Sequence, residues 1–131
     1  MDLQSALGVT NQAFKSVVKE LSDEMQVCIQ NCMSCHQVCV ITLSHCIEKG
    51  GRHAEAAYLK SLIDCAQICT TSADFMSRDS DIHPSICSAC AEACLACAQS
   101  CELFSEDEVM KACAEMCRQC AGSCKHMAAK H

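Results

Sequence analysis

The sequence contains no tryptophan, one proline, four glycines, one tyrosine and three phenylalanines among 131 residues. So few turn formers exclude a fold built from many short strands, and the abundant Ala, Leu, Met, Glu and Gln favour long helices. The shortage of aromatics removes the stacking platforms of nucleic-acid binders. A formal net charge of −6 removes the basic footprint as well, so no nucleic-acid partner is expected. No apolar run approaches membrane-spanning length, and none contacts a membrane on this reading. The opening Asp-Leu-Gln-Ser-Ala-Leu-Gly after Met1 carries neither the basic and apolar segments of a secretory leader nor a twin-arginine signal. A cytoplasmic protein is therefore expected, in a compartment that keeps thiols reduced.

Cysteine is in excess, with 16 residues. That is ~12% of the chain, above the ~8–10% at which a short secreted chain reads as a disulfide scaffold. In a reducing compartment the same density points instead to metal or redox chemistry. The length fits one domain with a core of its own.

Residues 1–21 lack cysteine and place Leu3, Leu7, Phe14, Val18 and Leu21 at roughly helical spacing, with Thr10 or Asn11 as an N-cap; they are expected to form an accessory helix. Ser22 before Asp23 and Glu24 has the chemistry of a fresh helix start, so the main domain is placed at 22–131. A helix running unbroken through Ser22 is the competing reading.

Within 22–131, Met25, Cys28, Cys32, Cys35, Cys39, Thr42 and Cys46 step by three and four until Gly50-Gly51. Tyr58, Leu62, Cys65, Cys69, Ser72 and Met76 repeat the rhythm and stop in the polar run 77–81. Pro84 suits a first turn, followed by Cys87, Cys90, Cys94, Cys97, Cys101 and Phe104. Ser105-Glu106-Asp107-Glu108 reads as a capping box, with Ser105 the cap, opening a stripe of Met110, Cys113, Cys117, Cys120, Cys124 and Met127. Four such helices with short links predict an all-α, antiparallel up-down-up-down four-helix bundle with an additional short N-terminal helix. Placed without regard to facing, roughly two cysteines in seven would fall on inward positions. All 16 do.

A small buried hydrophobe explains one or two such residues, not sixteen, because cysteine fills less volume than Leu or Ile and each exchange forfeits roughly 1 kcal/mol of packing. Disulfides within helices add little. Cys-x-x-Cys occurs at Cys32/Cys35, Cys87/Cys90, Cys94/Cys97 and Cys117/Cys120, but mid-helix, away from the helix N-terminus that activates a redox thiol. Structural zinc would leave most of the thiols idle, and the ferredoxin cysteine run is absent. A narrow thiol-lined core suits Cu(I), which thiolate and thioether ligands select. If each ion takes two thiolates and each thiolate bridges two ions, capacity is about one Cu(I) per cysteine, on the order of sixteen. An iron–sulfur or dithiol electron-transfer protein is the alternative from a different class, and a zinc or cadmium buffer is a variant of the first.

Cys28-x3-Cys-x2-Cys-x3-Cys39, Cys65-x3-Cys69 and the stretch from Cys87 to Cys124-Lys-His-Met-Ala-Ala resemble the cytosolic copper storage proteins over about residues 25–129. The resemblance implies a four-helix bundle that stores or sequesters many Cu(I) ions, assembles as a homotetramer and performs no catalysis. Exchange of copper with a chaperone or chelator is expected. Thr42, Tyr58 and Met110 depart from the densest members, and residues 103–109 stand where some relatives carry a histidine-rich link.

Antiparallel topology gathers Met25, Ser72, Met76, His83 and Met127 at one end and Thr42, His45, Cys46, Tyr58, Phe104 and Met110 at the other. The N-terminal segment is expected to cover the first end with Phe14, Val18 and Leu21. Glu102, Glu106, Asp107 and Glu108 should draw cations to the second, and the resemblance places the mouth there too. His45 and Met110 are the donors expected to pass Cu(I) inward, with His53 a weaker candidate; His36, His126 and His131 read as solvated. The off-stripe Ile29, Met33, Val40, Ile41, Leu43, Ile47, Ile63 and Ile68 predict a further apolar contact on the outer faces.

Overall fold

A computed structural model describes residues 12–129. Leu3, Leu7, the proposed cap at Thr10 or Asn11, and His131 lie outside the described residues. Residues 12–18 are helical (α1), and a turn over 19–22 separates them from α2, Asp23–Lys49. A 3-10 turn at Gly51–Ala54 leads to α3, Ala56–Ser77, followed by α4, His83–Glu102, and α5, Glu108–Ala129. The described residues contain no strand.

The helix boundaries follow from local chemistry. Ser22 Oγ accepts the Met25 amide at 3.2 Å, and Asp23 and Glu24 occupy the first turn, where the helix dipole favours acids. The helix therefore starts afresh at Asp23. Gly50 ends α2 at φ 68°, ψ −164°, a conformation essentially confined to glycine, while its amide donates to the Cys46 carbonyl. At the end of α3, Asp79 takes φ 50° as the Ser80 amide reaches the Phe75 carbonyl at 3.0 Å and the Asp79 amide reaches Met76 at 2.9 Å. These two bonds are a Schellman cap with aspartate in the left-handed position.

The start of α5 differs from the expected capping box. The helix begins at Glu108, and Asp107 is its cap: Oδ1 accepts the Val109 amide at 2.9 Å and the Met110 amide at 3.2 Å. Ser105 lies two residues too early, because Phe104 and Asp107 close a turn of their own through Asp107 N to Phe104 O.

α2 packs on α3 and α5, and α4 packs on the same two helices, so α2 and α4 occupy opposite corners. Sulfur pairs descend one helix as they climb the next: Cys28 with Cys124, Cys32 with Cys120 and Cys35 with Cys117 between α2 and α5. Cys65 with Cys94 and Cys69 with Cys90 do the same between α3 and α4, giving antiparallel neighbours throughout.

Small residues set how close those neighbours come. Ala66 and Ala73 on α3, Ala91 and Ala98 on α4, and Ala114 and Ala121 on α5 are all buried, seven residues apart on each helix, and each directly follows an inward residue. A methyl there keeps the space between helices narrow. On α2 the equivalent row is Ile29, His36 and Leu43, facing α3, where His36 Nδ1 donates to the Ala66 carbonyl at 2.8 Å. Ile29 is thus 2% exposed, a core residue rather than part of an outer face, and His36 is tied to α3 rather than solvated.

Candidate metal centre

All 16 cysteines are free thiols, none more than 1% exposed, and together they form one column along the bundle axis. Four four-cysteine groups succeed one another. They are Cys32, Cys90, Cys120 and Cys124; Cys35, Cys69, Cys94 and Cys120; Cys35, Cys39, Cys65 and Cys117; and Cys39, Cys97, Cys113 and Cys117, each with its sulfurs within 4.8 Å of one another. Neighbouring groups share members: Cys120, then Cys35, then Cys39 with Cys117. The sharing turns separate tetrads into a ladder without a gap.

The remaining four thiols extend the ladder. Cys28 Sγ is 3.7 Å from Cys124 at one end, and Cys87 Sγ is 3.5 Å from Ser72 Oγ nearby. Cys101 adjoins Cys97 and Cys113. Cys46 donates to the Met110 thioether across 3.5 Å.

Close sulfur pairs lie 3.6–4.0 Å apart, far beyond a disulfide bond of about 2.05 Å. A metal–sulfur bond of roughly 2.3 Å and an S–metal–S angle near 120° span ~4.0 Å, so an ion fits between neighbours with little movement. An iron–sulfur cluster brings its own sulfide and iron, and sulfurs in mutual contact leave no volume for that core.

Burial opposes charge on the thiols of the empty column. The Cys46 thiol is pushed up to about 11, first by burial and then by the negative charge of Asp107 and of Cys113 and Cys97. Cys101 moves upward through its hydrogen-bonded neighbours Cys113 and Cys97 and through burial. Without a metal, a second thiolate beside the first is strongly opposed.

The two ends of the column differ. At the first, Val18 is buried, Phe14 and Leu21 pack on the core, and Gln26 Nε2 donates to the Val18 and Leu21 carbonyls at 3.0 and 2.8 Å. Met25, Met76, Met127 and His83 are buried there as well.

At the second end, a cleft of ≈ 670 Å³ is lined by Lys49, Arg52, His53, Phe104, Asp107 and Glu108 among others. His45 Nε2 and His53 Nε2 both donate to Asp107 Oδ2, at 2.8 and 2.9 Å. The His53 ring lies against Phe104 with centroids 4.2 Å apart, and Tyr58 meets Phe104 edge-on at 5.1 Å. Burial opposes the Asp107 charge, but hydrogen bonds from His45, the Met110 amide and His53 outweigh it and hold the carboxyl well below its ordinary value.

The acidic rim is weaker than the sequence implies. Glu102 is committed to Arg118 through bonds of 2.6 and 2.7 Å, and Lys49 and Arg52 line the same cleft. His45 and Met110 both stand at this end, whereas His126 is exposed elsewhere. Sequence reasoning passed over Asp107 as a structural hub and ranked His53 low. Spacing gave no sign that residues 54 and 62 positions apart converge on one oxygen.

Residues 21–129 match the family model described as copper storage protein. The chain is similar to a crystal structure of a Nitrosospira multiformis protein, 43% identical, covering 82% of this chain and 97% of that one, with a TM-score of 0.76. It is similar to the Cu(I)-bound copper storage protein BsCsp3 of Bacillus subtilis at 30% identity over 81% of this chain and 99% of that one, TM-score 0.76. A Streptomyces lividans copper storage protein loaded with 10 copper equivalents is 28% identical over 83% of this chain and 86% of that one, TM-score 0.72. A search of curated proteins gave no match. With the family match spanning all four bundle helices, and with a thiol column filling the core they enclose, the chain belongs to the copper storage protein family.

Proposed function

We propose that this protein stores and sequesters Cu(I), binding about one ion per cysteine along the column, on the order of sixteen per chain. The observation that carries this reading is the sharing of Cys120, Cys35, Cys39 and Cys117 between successive four-cysteine groups. A thiolate common to two groups is placed to bridge two ions, and bridging is what lets ion number approach thiol number. Each monovalent cation also neutralises one thiolate, which removes the cost of burying charge. Related structures carrying Cu(I) and 10 copper equivalents support the choice of metal.

The ligands on this reading are Cys28, Cys32, Cys35, Cys39, Cys46, Cys65, Cys69, Cys87, Cys90, Cys94, Cys97, Cys101, Cys113, Cys117, Cys120 and Cys124. Met110 passes copper to Cys46 from the second end, where His45 stands outside it. Residues 22–131 form the storing unit, and residues 1–21 act as an accessory segment, of which Phe14, Val18 and Leu21 cover the first end. The protein is no enzyme; it works in the cytoplasm, as the S. lividans relative described as cytosolic does, and exchanges copper with a chaperone or small chelator. No helix among the described residues is long and apolar enough to cross a membrane. The exposed Met33, Val40 and Ile47, seven residues apart on α2, together with Ile41 and Ile63, supply an apolar face for assembly into a homotetramer.

The test is loading under anaerobic conditions. Cu(I) should be taken up from a competing chelator to about the cysteine count, without the visible absorption of an iron–sulfur cluster in the protein as purified. Rapid reaction of a few thiols only, or a coloured iron-containing product, would favour electron transfer instead.

A further inference from the structure

The side chains that converge on Asp107 form a donor set unlike the column beneath it. We infer that His45, His53 and Asp107 are a separate binding site for one divalent cation of the zinc class, at the second end of the bundle and outside the thiol core. Three ligand atoms from three different elements meet there: His45 Nε2 from α2, His53 Nε2 from the 3-10 turn and Asp107 Oδ2 from the start of α5. All lie within 4.8 Å of one another.

The arrangement is held in place from behind. Asp107 Oδ1 is fixed by the Val109 and Met110 amides, which turns Oδ2 toward the two imidazoles as the coordinating atom. The Phe104 ring supports the His53 imidazole. The three residues are half-buried, with side-chain exposures of 22% for His45, 20% for His53 and 13% for Asp107, and the cleft beside them is open to an incoming ion and its water.

Metal–nitrogen and metal–oxygen bonds of about 2.0–2.2 Å at a tetrahedral angle put ligand atoms roughly 3.4 Å apart. The observed 2.8 and 2.9 Å separations need to open by about half an ångström, as the two N–H protons that now bridge nitrogen and oxygen give way to the ion. Two imidazoles, one carboxylate and an open position suit a borderline divalent ion. Cu(I) is drawn to sulfur, and the set contains none. The site therefore differs in class from the column, although Met110, whose amide Asp107 caps, touches Cys46.

Co(II) is the probe, added anaerobically to the Cu(I)-saturated full-length protein so that the thiols are already occupied. A failure of the copper reading shows in the loading step, before cobalt is added. One equivalent of Co(II) should be retained, with d–d absorption of nitrogen and oxygen ligation and no sulfur-to-cobalt charge transfer. Zn(II) should displace it. His53→Gln and Asp107→Asn should each weaken retention by about tenfold or more, while His126→Ala, at an exposed histidine elsewhere, should leave it unchanged. Asparagine still caps a helix, and His53 sits in a surface turn, so both variants are expected to keep the wild-type circular dichroism. No retained cobalt, a sulfur charge-transfer band, or retention indifferent to both variants would overturn the assignment.

Discussion

The Cys46 thiol donates to the Met110 thioether sulfur across 3.5 Å, joining the last cysteine of α2 to the first turn of α5. This pair stands at the end of the thiol ladder nearest the His45, His53 and Asp107 cluster, and both members are essentially buried. Replacing Met110 by Leu keeps volume and apolarity, with a stability cost under about 1.5 kcal/mol. Met110→Leu should slow Cu(I) uptake from a chelator by about tenfold, equivalent to ~1.4 kcal/mol on the transfer barrier, with total capacity nearly unchanged. Stopped-flow transfer measured alongside an endpoint titration separates the two quantities; a wild-type rate would remove Met110 from the route.

Position along the ladder predicts how much each thiol matters. Cys120 belongs to two of the four-cysteine groups, whereas Cys46 belongs to none. Cys120→Ser should lower capacity by more than one ion and Cys46→Ser by about one at most. Native mass spectrometry of the loaded variants counts the ions directly. Equal losses would argue against bridging.

Proton release follows from the cost of burying thiolate charge in an empty column. With Cys46 pushed up to about 11 by burial and neighbouring negative charge, its thiol is protonated at neutral pH. Thiolate ligation should release about one proton per Cu(I), and apparent affinity should fall as pH falls. Loading in weak buffer with a pH indicator measures the stoichiometry, and a ratio well below one would mean that the thiolates are already charged.

Asp107 predicts a stability effect with a definite sign. Its carboxyl is held below the ordinary value of about 3.9, so its charged form stabilises the fold above that pH, and the contribution is lost as pH falls through the depressed folded-state value. Asp107→Ala also removes the α5 cap and should cost about 1 kcal/mol at pH 7. Asp107→Asn retains the cap, so its deficit should be smaller at pH 7 and shrink further below about pH 4. Urea unfolding of the metal-free proteins at several pH values tests this, and a deficit for Asn that grows in acid would contradict it.

The alanine rows yield a packing prediction. Ala98 is fully buried on α4, in the row that also holds Ala91. Ala98→Leu should destabilise the metal-free protein by about 1–3 kcal/mol and, by spreading the helices, lower copper capacity although every cysteine remains. Thermal unfolding and copper titration of one preparation give both readouts.

These residues also show which parts of the molecule sequence could reveal. The cysteine stripes, Gly50-Gly51 and Pro84 report on helices one turn at a time, so the four-helix bundle and the inward thiols were legible from spacing. The alanine rows stand in the sequence directly after inward residues, five as Cys-Ala pairs and Ala73 after Ser72, but draw little notice beside the thiols. Asp107 was not legible: capping preference alone points to Ser105, and only the turn made by Phe104 shifts the helix start by two residues. His36 and Ile29 likewise depend on what faces them, which for α2 is the alanine row of α3.

A shared-thiol ladder stores copper at about one ion per cysteine on the proposed reading. An anaerobic Cu(I) titration against a competing chelator, read by native mass, decides whether it does. The plateau should fall near sixteen ions per chain, and a plateau at about four or fewer, the capacity of isolated tetrahedral sites, would rule the ladder out.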